Sequence, residues 1–322
     1  MRYLVTGGCG FIGSHLCTRL LDAGHEVVVI DDLSTGRFDN IEAIHQHTGF
    51  RLIVGSVLEH DLMDGLIRDC DAVFHLASAV GVKLIMEQPV QTISTIFQGT
   101  DVVLKLAARY RKRVLLTSTS EVYGKSENVP FHEDGDRLEG PTSKHRWAYA
   151  CAKALDEFLA LAHWKQSRLP VIVVRLFNTV GPRQSAQYGM VIPNFVRRAL
   201  ANEPISVYGD GQQSRCFCHV ADVVEALVAL IECPAAHGKV VNVGSTEEIT
   251  IRGLAERIRT LTKSESEIRT VPYASVFGEG FEDMQRRIPS LDRIGELIGW
   301  KPRKSLDDIL ADCIADVRAS AT

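Results

Sequence analysis

Arg2-Tyr3-Leu4-Val5-Thr6-Gly7-Gly8-Cys9-Gly10-Phe11-Ile12-Gly13 opens the chain, and Glu26-Val27-Val28-Val29-Ile30-Asp31-Asp32 closes the unit it begins. The apolar run Tyr3 to Thr6 reads as a strand entering a glycine turn. Phe11, Ile12, Leu16, Leu20 and Leu21 then recur at helical spacing. Strand, turn, helix and second strand in this order make a unit for holding a dinucleotide. Gly7 permits the tight turn, Gly10 lets the backbone approach a pyrophosphate, and Gly13 lets the helix lie close on the sheet; the amides at the helix start, around Phe11 and Ile12, receive the phosphates. Asp31 stands eighteen positions after Gly13, where a carboxylate meets the adenosine ribose and repels a 2′-phosphate. NAD is expected over NADP, with Asp32 and the Thr35-Gly36 loop wrapping the adenosine.

The G-x-x-G-x-x-G spacing resembles that of short-chain dehydrogenase/reductases. Ser56-Val57 after the third strand and Leu76-Ala77-Ser78 after the fourth fall where that family brings backbone against the cofactor. Ser56 departs from the family, which commonly has an aspartate there to contact the adenine amino group. Thr95 likewise stands where relatives usually carry asparagine. Lys83 reads as a solvated loop residue.

With 322 residues, 45% of them hydrophobic, and a formal charge of −4, the chain can bury a full core and has no basic excess for nucleic acid. Its mean hydropathy is +0.02 and its pI about 6.3. No apolar run reaches the ~18–20 residues of a membrane span, and Met1 leads straight into a strand. A soluble, cytoplasmic protein is expected. The eight cysteines and eleven histidines show no metal-ligand spacing, so no metal is expected and the cysteines read as reduced core thiols. Strands alternating with helices, including a helix expected over Pro89 to Tyr110, imply an α/β fold: a Rossmann-type doubly wound parallel sheet with a smaller C-terminal α/β lobe. The boundary is expected near 177, with 1–177 binding NAD, 178–322 forming mainly the substrate lobe, and segments around 216–245 returning to the first domain.

Arg113 to Leu116 reads as a strand that delivers Thr117-Ser118-Thr119-Ser120-Glu121, hydroxyls and a carboxylate at the strand end where such sheets bind ligands. Tyr149 and Lys153, four apart on one helix, share a face. A phenol titrates near 10, and an adjacent ammonium lowers that value toward the range of a useful base. Together Thr119, Tyr149 and Lys153 resemble the catalytic set of extended short-chain dehydrogenase/reductases acting on nucleotide sugars. That resemblance implies that Tyr149 and Lys153 also touch the cofactor, and that Asn178, Val191, Arg198, Val207 and Arg215 line the nucleotide-sugar site, Arg215 gripping the diphosphate with its planar donor fork.

Arg146-Trp147 before the tyrosine, and Gly278-Glu279-Gly280-Phe281-Glu282-Asp283 followed by Arg287-Ile288-Pro289, resemble the UDP-glucuronate decarboxylase subgroup. Arg287 then falls on the arginine that meets the substrate carboxylate. Ser120 stands where apiose synthases carry cysteine. The resemblance implies UDP-glucuronate decarboxylation through transient oxidation at carbon 4, with Ser120, Glu121 and Arg287 acting on the carboxylate and the proton transfers. A UDP-sugar 4-epimerase, needing only the triad, stays open, as do a 4,6-dehydratase and a non-catalytic NAD-sensing module. Two helices, Pro89 to Tyr110 and Ser143 to Trp164, match those that pair as a four-helix bundle in dimeric relatives, so a homodimer is expected.

Overall fold

The computed structural model describes residues 1–78, 89–144, 147–186, 190–277 and 282–319. Lys83, Arg146, Gly278, Gly280 and Phe281, all singled out above, lie outside them.

Seven parallel strands form one sheet. They are β1 (Arg2–Thr6), β2 (Glu26–Asp31), β3 (Phe50–Val54), β4 (Ala72–His75), β5 (Arg113–Thr119), β6 (Val171–Leu176) and β11 (Val240–Val243). Across the sheet they lie in the order β11-β6-β5-β4-β1-β2-β3. Central strands such as Ala72–His75 are buried at every position, as a sheet covered on both faces requires. On one face lie α1 (Phe11–Asp22) and α6 (Val220–Ile231), giving Leu16, Leu20, Val223, Leu227 and Leu230 to the core. On the other lie α2 (His60–Asp69), α3 (Pro89–Tyr110) and α4 (Ala148–Ser167), contributing Met63, Ile67, Val103, Leu104, Ala107 and Ala160. The order reverses at β1 and β4, so the crevice above their carboxyl ends is where a dinucleotide fits.

A separate core is built from α5 (Val191–Leu200), β8 (Ile205–Tyr208), α7 (Ile251–Thr262) and α9 (Leu306–Ala319). Strand β13 (Ile268–Val271) pairs in parallel with β8. Two short ladders stand beside it: β7 (Thr179–Val180) with β10 (Cys218–His219), and β9 (Ser214–Cys216) with β12 (Glu248–Thr250). Thr250 Oγ1 accepts from Gly253 N at 3.0 Å and caps the start of α7 at Ile251. The chain then returns to the large sheet, where α8 (Asp292–Ile298) packs on β11 and α6.

The polar segment after Arg37 is a 3-10 turn, Phe38–Ile41, followed by further turns. Ile41 and Ile44 are its only buried residues over 38–48, too few for an amphipathic face to hold a helix there. The helix carrying Tyr149 and Lys153 starts at Ala148, not at the expected Ser143, because the chain before it spends its hydrogen bonds on turns, Lys144 N to Pro141 O and Trp147 N to Lys144 O. Among the described residues, no helix is long and apolar enough to cross a membrane.

Candidate active site

The cofactor cradle is shaped by what cannot be added to it. Gly7 has φ +74°, and a Cβ there would lie 2.8 Å from Ala77 N; one on Gly13 would lie 2.2 Å from Gly7 O. Gly10 bonds its N–H to Gly7 O at 3.1 Å and leads directly into α1, whose first amides at Phe11, Ile12 and Gly13 have no carbonyl within the helix to accept them. The turn therefore presents bare backbone and donors. Asp31, 8% exposed, locks it from below: Oδ2 accepts from Cys9 N and Oδ1 from Leu33 N, both at 2.9 Å. Burial raises its pKa, and the two amides oppose that rise.

Thr35 and Gly36 are half-buried beside it, a Cβ on Gly36 reaching Asp31 Oδ1 at 2.8 Å, while Asp32 is exposed and accepts from Ser34 N. Val57 is buried against Gly99. Ser56 acts locally. Its hydroxyl accepts from Leu58 N at 3.2 Å and its N–H meets Glu59 Oε1 at 2.7 Å, fixing the approach to α2. Leu76, Ala77 and Ser78 extend β4 past Gly7, and the buried Ser78 Oγ has no hydrogen-bond partner among the described residues. A bare glycine cradle, helix-start amides and an orphaned hydroxyl fit a dinucleotide.

Beside the cradle, β5 ends in Thr119, whose Oγ1 accepts from Glu121 N at 3.2 Å and caps the 3-10 turn Ser120–Tyr123. Helix α4 packs on that turn and on β5, bringing Tyr149, 8% exposed, and Lys153, 2% exposed, to the same strand end. Tyr149 is seated against Ile96 and Ala152. Thr119 and the helix that carries Tyr149 and Lys153 thus meet at the carboxyl end of β5. Ser120 is buried. Glu121 meets Arg287, Nη2 to Oε1 at 3.5 Å, and Arg287 Nη1 lies 3.4 Å from Asn178 Oδ1. Arg287 is 8% exposed, so the structure brings a guanidinium from the end of the chain into the crevice between Thr119–Glu121 and Asn178.

The remaining residues expected at the substrate are spread over the smaller lobe. Arg215 Nη2 pairs with Asp283 Oδ2 at 2.9 Å, and its Nη1 donates to Ser214 O at 2.7 Å. Val191 opens α5 half-buried, whereas Val207 sits inside the lobe's core. Arg198 lies in the last turn of α5 and donates to Pro204 O at 3.0 Å, so its guanidinium braces the entry to β8.

Reading the sequence missed a buried polar layer beneath the triad. Ser118 Oγ bonds Glu157 Oε1 at 2.5 Å, and Glu157 takes Arg175 in a bidentate pair, Nη2 to Oε2 at 2.7 Å. Burial works against charge on Arg175, but Glu157 outweighs it and holds the guanidinium's pKa above its ordinary value. Arg175 also lies over the Tyr123 ring, whose phenol burial pushes up to about 12. Glu157 follows Lys153 at helical spacing, the one signal that was available. Trp147 Nε1 donates to Glu282 Oε2 at 2.9 Å, and Lys125 binds the same oxygen at 2.8 Å, tying the start of α4 to the segment that carries Arg287.

Residues 3–244 match the NAD dependent epimerase/dehydratase family. The chain is 42% identical to UDP-N-acetyl-alpha-D-glucosaminuronate decarboxylase of Bacillus cytotoxicus, over 97% of this chain and 96% of that one. It is 39% identical to UDP-glucuronic acid decarboxylase 1 of Danio rerio, over 95% of this chain and 70% of the relative. Among solved structures, UDP-glucuronic acid 4-epimerase from Bacillus cereus, in complex with UDP-glucuronic acid and NAD, superposes with a TM-score of 0.89 at 25% identity, covering 99% of this chain and all of that one. The match over three quarters of the chain, on a glycine cradle and a Tyr149–Lys153 pair, settles its kinship: the protein belongs to the NAD dependent epimerase/dehydratase family, and its cofactor is NAD.

Proposed function

We propose that the protein decarboxylates a UDP-linked hexuronate, UDP-glucuronate in the first instance, through transient oxidation at carbon 4. The observation that carries this reading is Arg287, a nearly buried guanidinium at Glu121 and Asn178 beside the triad. A cation there matches the one charge that distinguishes a uronate from a neutral sugar. Full-length likeness to two decarboxylases supports it.

Tyr149 takes the proton of the carbon 4 hydroxyl, with Thr119 donating its hydroxyl proton to the same oxygen. Lys153 lowers the phenol's pKa and holds the nicotinamide ribose. The cradle of Gly7, Gly10 and Gly13 would hold NAD, which would supply the reversible hydride acceptor for carbon 4. The oxidised sugar is a β-keto acid, so the bond from carbon 5 to the carboxylate breaks with its electron pair entering the ketone. Arg287 orients that carboxylate for departure, Ser120 hydrogen-bonds beside it, and Glu121 manages the proton that must reach carbon 5. Residues 1–177 carry the NAD site in this reading and 178–322 mainly the sugar-nucleotide site, with Asn178, Val191 and Arg215 on its diphosphate and base, and with Arg198 and Val207 shaping the lobe behind them.

The experiment is incubation with UDP-glucuronate, its 2-acetamido analogue, UDP-galacturonate and UDP-glucose, products being identified by mass and NMR. Carbon dioxide and a UDP-pentose are expected from UDP-glucuronate. Interconversion of 4-epimers without carbon dioxide would make the protein an epimerase.

A homodimer is part of the proposal. Helices α3 and α4 pack side by side, and Val90, Ile93, Leu155 and Phe158 on them are exposed, Phe158 by 62%. A second copy covering these side chains makes a four-helix bundle, and light scattering at micromolar concentration should give twice the chain mass. The buried free cysteines suit a reducing, cytoplasmic setting.

A further inference from the structure

Asp156 is wholly buried, and neither the triad nor the carboxylate chemistry uses it. It stands one turn after Lys153 on α4, and its Oδ2 accepts from Lys153 Nζ at 2.9 Å. An ammonium with 3% exposure has almost no water to solvate it and stays charged only beside an anion or strong acceptors.

Behind the pair runs a row of polar groups reaching the cofactor cradle. Ala77 N donates to Thr6 Oγ1 at 3.1 Å, Thr6 Oγ1 lies 2.8 Å from His75 Nδ1, and His75 Nε2 lies 3.2 Å from Thr100 Oγ1. Burial raises the Asp156 pKa, and the Lys153 ammonium and then the nearby Thr100 hydroxyl oppose that rise; Oδ1 makes no hydrogen bond of good geometry among the described residues. Burial holds the His75 imidazole neutral, at about 3, so one ring nitrogen donates and the other accepts. Thr6 also accepts from Ala77, and the neutral ring bridges the hydroxyls of Thr6 and Thr100, so the row runs from the cradle to the side of Asp156.

We propose that Asp156 is a positioning residue that keeps the buried Lys153 ammonium charged and aimed at the cofactor and Tyr149. This rests on reading Tyr149 and Lys153 as the pair that acts at carbon 4. The titratable groups whose charge reaches the pair are His75 on β4 and Glu157 on α4, and Glu157 is itself paired with Arg175 on β6. Asp156 is therefore the carboxylate bonded to Lys153, while Glu157 is committed to Arg175. Removing it leaves a buried ammonium without its bonded carboxylate.

The test uses the full-length protein with NAD and UDP-glucuronate, following nicotinamide reduction in a single turnover from about pH 6 to about pH 10. That readout is common to decarboxylation and epimerisation. In Asp156→Asn the alkaline limb should fall by about 1–2 pH units, and Asp156→Glu should recover part of the shift. A limb that stays in place, whatever happens to the plateau, overturns the proposal. Thermal unfolding of the NAD-free protein gives a second answer if Asp156→Asn does not fold alone. Lys153→Met should lower Tm by stranding the carboxylate, and adding Asp156→Asn should restore most of the loss. Additive losses would contradict the pairing. Release of no carbon dioxide by wild type, with the limb still moving, would sink the decarboxylase reading and leave this one standing.

Discussion

The glycine turn of the cofactor cradle is held by short loops of chain and the substrate side of the crevice by long ones. Cys9 N reaches Asp31 across 22 residues, and Gly7, Gly10 and Gly13 form one turn. Arg287 reaches Glu121 across 166 residues, Glu282 reaches Trp147 across 135, and Asp283 reaches Arg215 across 68. A damaged cradle should therefore fail at the first chemical event, whereas a damaged substrate side should let oxidation proceed and fail afterwards.

The largest effect is expected at the junction of the two. Tyr149→Phe removes the base that both sides depend on, and nicotinamide reduction and carbon dioxide release should fall together by ~10²–10⁴. Reduction that survives while only decarboxylation is lost would move the base elsewhere. Next comes Gly13→Ala on the cofactor side. Its Cβ would lie 2.2 Å from Gly7 O and 2.8 Å from Gly8 Cα, so backbone has to shift and the amides of the turn shift with it. Co-purifying NAD should drop by more than about tenfold, readable from the absorbance of the isolated protein.

The strand–turn–helix cradle and the shared helix of Tyr149 and Lys153 were legible because glycine spacing, apolar periodicity and a four-residue interval are local signals. Arg287 was reachable only through resemblance, since nothing near it in sequence announces that it returns to Asn178. The link among Glu157, Arg175 and Ser118 was not legible, although Ser118 stands in the strand-end hydroxyl run and Glu157 at helical spacing from Lys153. Their buried network joins three elements, and a charged residue on a helix reads as solvated until the fold covers it. The same limit explains Arg198, whose guanidinium braces Pro204 O in a turn that no sequence pattern marks.

On the substrate side, Glu121→Gln and Arg287→Ala should keep bound NAD and single-turnover reduction within about tenfold of wild type while carbon dioxide release falls by ~10² or more. Arg287→Ala should also raise KM for the uronate. An equal loss of both steps in either variant would erase the division between the two sides.

The smallest effect is a pH dependence of stability written into the cofactor side. His75 is buried neutral at about 3, against an ordinary value of 6.5. Between those values the unfolded chain binds a proton that the native chain refuses. Stability is lost as pH falls through that window, at most ~1.4 kcal/mol per unit from this group. Denaturant midpoints for wild type and His75→Gln from about pH 7 to about pH 4 should converge as pH falls, because the variant lacks this term. Parallel curves would mean that His75 is protonated in the native state.

The central claim is that the buried cation beside the triad serves a carboxylate that leaves. Purified protein with UDP-glucuronate carrying labelled carbon in the carboxylate should release that label as carbon dioxide, one per UDP-pentose formed, with no net reduction of added NAD. Retention of the label in a 4-epimeric uronate, or accumulation of reduced cofactor matching the substrate consumed, would contradict it.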